Sequence, residues 1–167
     1  MDMRGLSKKQ KIFIWFPVIM LPLSNIILAI SSDGTYVLSI AWIFGATAEE
    51  LFFRFFLLRQ ILFRTMKSVS SILLVSILFA GMHLFNLRTG QPVDVTLLQM
   101  FAAFCFSIWA GAVTWKTTWL IPLIAHILMN ATAEAEVMCV QVLVSVAVLV
   151  DGMFLMRGEN NDLPILQ

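Results

Sequence analysis

Thr47-Ala48-Glu49-Glu50-Leu51-Phe52-Phe53-Arg54 sets three charged side chains inside a largely apolar run that extends from Tyr36 to Phe63. The run is long enough to cross a bilayer, where an ionisable group near the centre costs roughly 2.5–3.5 kcal/mol on an insertion scale. Three such groups in one span call for partners and a purpose. On a helix Glu50 and Arg54 lie four residues apart and face each other as an ion pair. Glu49 is rotated from Glu50 by about 100°, so the spacing predicts one carboxylate tied to Arg54 and one left free.

A free buried carboxylate acts through its company, and two later apolar segments supply candidates. Phe79-Ala80-Gly81-Met82-His83 sets a histidine four residues after a phenylalanine. His126-Ile127-Leu128-Met129-Asn130 sets a histidine and an amide on one helical face. These are the two histidines of the chain, and both fall at mid-depth of expected spans, as Glu49 does.

The composition suits that setting. Hydrophobic residues make up 60% of the 167 and charged ones 13%, with mean hydropathy +0.91, which excludes an ordinary soluble domain. There is no long basic run for nucleic acid and no acidic tail. Cys105 and Cys139 lie in apolar segments without the spacing of a zinc knuckle or a redox pair, so they read as small buried hydrophobes. Arg4, Lys8, Lys9 and Lys11 precede an apolar run that ends at Ala29-Ile30-Ser31, in the manner of a secretory signal. That run is about 19 residues, too long for a signal core and right for a span, so it reads as a retained helix.

Six helices follow from the apolar segments. The first covers about Ile12 to Ile30, kinked by Pro17 and Pro22, and the second about Tyr36 to Phe63. The third covers about Ser71 to Leu87, with Ser68 or Ser70 as its N-cap, and the fourth about Val95 to Trp115. In the fourth, Ala103, Ser107 and Gly111 recur every four residues, a small-residue stripe for close packing. The fifth is short, about Thr118 to Thr132, with Pro122 near its first turn, and the sixth covers about Val137 to Met156. The polar tail 157–167 has no periodicity and is expected to be disordered. The expected fold is all-α: one membrane domain over 1–167, a polytopic bundle of about six transmembrane helices in contact with the lipid bilayer. Basic residues gather in the N-terminal tail, at Arg64 and Lys67, at Lys116 and at Arg157, which predicts both termini in the cytoplasm. Trp15, Trp115 and Trp119 lie near those basic ends, where an interfacial aromatic belt belongs.

A carboxylate, two imidazoles, an amide and an Arg-bound acid form a hydrolytic set. Glu49 could take a proton from water, with His83 holding that water or sharing the proton. His126 and Asn130 could donate hydrogen bonds to the oxyanion that develops on a scissile carbonyl. Neither cysteine has a motif partner for a competing nucleophilic arrangement. Glu49, His83 and His126 could alternatively act as zinc ligands, although there is no His-Glu-x-x-His pair. The same buried charges could also serve a membrane protein that binds or relays ions without catalysis. Taken singly, Phe79 reads as packing that shapes a pocket, and Glu134, Glu136 and Asp151 as solvated or interfacial, with Asp151 the deepest of the three.

Glu49-Glu50-x-x-x-Arg54, Phe79-x-x-x-His83 and His126-x-x-x-Asn130, in this order, resemble the three motifs of the CAAX protease and bacteriocin-processing family. These are glutamic intramembrane endopeptidases related to the type II CAAX prenyl protease. The resemblance covers a core of about 42–132. It implies that Glu49 and His83 activate water, that His126 and Asn130 form the oxyanion site, and that Glu50 and Arg54 support them. It further implies no cofactor or metal, a peptide or protein substrate at the membrane, and residence in the inner or plasma membrane of a prokaryotic cell. Small members of this kind process peptides, confer immunity to them, or sort proteins with C-terminal anchoring signals.

Overall fold

The computed structural model describes residues 3, 5–31, 40–131 and 138–157. The described secondary structure is helical throughout, with no strand among the described residues. Helix α1 is Lys8–Ser31. It begins four residues ahead of the apolar run because Ser7 and Gln10 form a reciprocal cap. The Gln10 N–H donates to Ser7 Oγ at 3.2 Å, and the Ser7 N–H donates to Gln10 Oε1 at 2.9 Å.

Helix α2, Ile40–Glu50, runs without a break into a π-helical stretch, Leu51–Leu62, and ends in a last α turn, Phe63–Thr65. The wide stretch closes with the Phe63 N–H reaching the Leu58 carbonyl, five residues back. The single uniform helix expected from the apolar run therefore changes hydrogen-bond register directly after Glu49 and Glu50. Helix α3 is Ser68–Met82 and tightens into a 3-10 helix, His83–Thr89, which Gly90 ends with a left-handed φ of 90°. Neither Ser68 nor Ser70 is its N-cap. Lys67 holds that position without a side-chain bond, and Ser71 Oγ ties the corner by donating to the carbonyls of Leu62 and Lys67.

Helix α4, Val93–Lys116, is the axis of the bundle: every residue from Cys105 to Thr114 is buried, as an all-round apolar helix requires. On one side the small-residue stripe meets α3, where a Cβ at Gly111 would come within 2.8 Å of Ile72 Cγ2. On another, helix α6, Met138–Met156, approaches so closely that a Cβ at Gly152 would lie 2.8 Å from the Trp109 backbone. Helix α5, Leu120–Ala131, packs against α1 and α2. Pro17 has no N–H to give the Phe13 carbonyl, and the buried Trp109 Nε1–H fills that place at 3.1 Å, so α4 is stitched to α1 at its proline.

Two stretches, Ser68–Thr89 and Val93–Lys116, are long and apolar enough to cross a membrane, and Leu120–Asn130 and Val142–Met156 are shorter apolar helices. Ile19, Phe44, Phe52, Phe56, Ile77 and Leu143 are each more than half exposed. Large apolar side chains turned outward on several helices suit a lipid environment. The chain is an integral membrane protein. Tyr36, Thr132, Glu134, Glu136 and the tail beyond Arg157 lie outside the described residues, as does the side chain of Cys139.

Candidate active site

The site starts at the junction where α2 widens. Glu50 and Arg54 are both fully buried, with Arg54 Nε 3.3 Å from Glu50 Oε2. The guanidinium also lies over the face of Phe79, its Cζ 4.6 Å from the ring centroid. A charge buried to this degree is tolerated because it is neutralised at contact distance and stacked on a π face.

The other oxygen of Glu50 reaches across the bundle. His126 Nδ1–H, from α5, donates to Glu50 Oε1 at 3.0 Å. The remaining ring nitrogen, Nε2, faces Glu49, whose Oε2 lies 3.8 Å away. Glu49 keeps 31% of its side chain exposed, against 5% for His126. Four groups of alternating type thus follow one another: Glu49, His126, Glu50, Arg54.

His83 sits where α3 tightens. Its backbone N–H turns to the carbonyls of Ala80 and Gly81, which leaves the Phe79 carbonyl without its α-helical partner. The ring takes that place: Nδ1–H donates to Phe79 O at 3.1 Å. In the neutral ring the proton is then on Nδ1 and the lone pair on Nε2, so His83 offers an acceptor for a water proton.

The buried Phe79 ring holds the two imidazoles in one neighbourhood. It makes edge-on contacts with His83 at 5.5 Å and His126 at 5.9 Å, and touches Phe53 and Phe106. Arg54, His83 and His126 therefore gather around the Phe79 ring, with Glu50 and Glu49 joined to them through His126. Two expected contacts are not made: His83 has no direct hydrogen bond to Glu49, and the side-chain amide of Asn130, half-buried one turn beyond His126, has no hydrogen bond among the described residues. No three His, Cys, Asp or Glu side chains among the described residues are gathered so as to hold a metal ion. Phe106 was not legible as a site residue, yet its buried ring, on α4, lies 5.2 Å from that of His126. Asp151 is not solvated: it is buried in α6, and its Oδ2 has no hydrogen-bond partner among the described residues.

A family model described as type II CAAX prenyl endopeptidase Rce1-like matches residues 31–132. The matched span holds Glu49, Glu50, Arg54, Phe79, His83 and His126. No curated protein and no solved structure matches the chain.

Proposed function

The chain belongs to the Rce1-like family of type II CAAX prenyl endopeptidases, and from that premise we propose that it is a glutamic intramembrane endopeptidase that needs no metal ion. Its substrate is a membrane-held peptide or protein, the family's prenylated CAAX end being the first to test. Glu49 draws a proton from water while His83 Nε2 accepts the water's other hydrogen bond, and the oxygen attacks the scissile carbonyl carbon. His126 Nε2–H and the Asn130 amide donate to the oxyanion. The tetrahedral species collapses as the proton held by Glu49 passes to the leaving nitrogen, the C–N bond breaks, and a carboxylic acid and an amine leave. Phe79, Phe53 and Phe106 keep this chemistry away from lipid and hold both imidazoles in place.

One observation carries the reading. The acid with both oxygens engaged is Glu50, whereas Glu49 is partly exposed and stands 3.8 Å from an imidazole nitrogen. A carboxylate open to water beside a ring that can donate is the pairing hydrolysis requires. In the proposed topology the six helices cross the inner or plasma membrane of a prokaryotic cell with both termini in the cytoplasm. The test compares membrane-peptide profiles of cells carrying the wild type and Glu49→Gln. An uncut precursor accumulating only with Glu49→Gln supports the proposal, and a cellular role that survives the substitution at unchanged protein level removes it.

A further inference from the structure

The 3-10 stretch that carries His83 has no buried residue from His83 to Thr89, so apolar packing does not fix it. What holds it is an amide node. Gln99 Oε1, on the second turn of α4, accepts from Asn86 Nδ2 at 2.8 Å and from Gln91 Nε2 at 3.0 Å. Asn86 is itself the pivot of the turn: its carbonyl accepts from the Gln91 N–H at 3.2 Å and from Thr89 Oγ1 at 2.8 Å. In a 3-10 helix side chains three residues apart eclipse, so Asn86 stands directly over His83 on one face. A tie on Asn86 therefore sets the rotation of the turn that aims the His83 ring.

We infer that Gln99 is a positioning residue for His83, acting through Asn86, with Gln91 closing the same node. Gln99 touches no reacting atom. It anchors to the central helix a segment whose other tie is the His83 ring on Phe79 O. The kinetic consequence rests on the hydrolytic reading of His83, and the spectroscopic one does not.

The experiment uses the full chain in detergent with 15N-labelled histidine, the two signals being assigned with His126→Gln. Turnover is read on an internally quenched prenylated peptide ending in a CAAX box. Gln99→Leu removes the acceptor; we expect kcat to fall roughly 10- to 100-fold with KM within about 2-fold, the scale of a displaced catalytic group. The His83 Nδ1–H signal broadens or splits in the same variant. Gln99→Glu keeps an acceptor for both amides and restores the signal and most of kcat. A Gln99→Leu protein with an unchanged His83 signal overturns the inference, as does a folded Gln99→Glu protein as impaired as Gln99→Leu. Should Gln99→Leu fail to accumulate, Asn86→Ala deletes the donor from a half-buried position and carries the same expectations and the same overturning result. If no form cleaves the peptide while the His83 signal still tracks Gln99, the hydrolytic reading falls and the positioning role stands.

Discussion

His126 Nδ1 lies 3.0 Å from Glu50 Oε1, so the acid that sequence spacing gives to Arg54 alone also holds a ring from α5. Glu50 joins two helices far apart in the chain, and its loss should be felt in both stability and site geometry. Removing one member of a buried ion pair leaves the other uncompensated, at about 3–5 kcal/mol. Glu50→Ala and Arg54→Ala should each lower the thermal midpoint in detergent sharply. Glu50→Ala combined with Arg54→Met should cost less than the two single losses added together. Additive losses would show that the pair is not coupled.

The stitch between α1 and α4 gives a second prediction. The Phe13 carbonyl depends on Trp109 Nε1–H because Pro17 cannot serve it. Trp109→Phe should therefore destabilise by about 1–3 kcal/mol for the unpaired carbonyl, apart from any packing loss. In a Pro17→Ala background the helix supplies its own N–H, and the penalty of Trp109→Phe should shrink. A thermal-unfolding double-mutant cycle with no coupling would contradict this.

Two glycines on α4 contacts differ in what they face. A Cβ at Gly111 meets the side chain of Ile72, which can give, whereas one at Gly152 meets the Trp109 backbone, which cannot. Gly111→Ala should cost about 1–3 kcal/mol and be relieved in part by Ile72→Ala. Gly152→Ala should cost more, with no single side-chain substitution restoring it. The order of thermal midpoints among these variants decides the matter.

Much of the bundle was legible because long apolar runs mark helices whatever their neighbours. The stripe at Ala103, Ser107 and Gly111 likewise announced close packing, which Gly111 against Ile72 bears out. Helix register was not legible. The π-helical stretch after Glu50 and the 3-10 turn at His83 change the backbone bonding without changing the apolar pattern. The second partner of Glu50 was hidden for a different reason, since His126 is 76 residues away and only the tertiary fold brings it near. Phe106 gave no signal, being one phenylalanine among many on a helix apolar all round. Gln99 belongs to no motif in the sequence, and Asp151 read as a solvated or interfacial acid, because neither burial nor partner can be read from the chain alone.

The proposed role of Glu49 is tested most directly by purified protein in liposomes acting on a quenched prenylated CAAX peptide, wild type beside Glu49→Gln. We expect cleavage by the wild type and a loss of at least about 10²-fold in Glu49→Gln, the least that removal of a general base should cost. Helicity and thermal midpoint should stay near wild type, since Glu49 is partly exposed and 3.8 Å from its nearest ionic partner. Turnover by Glu49→Gln at the wild-type rate would contradict it.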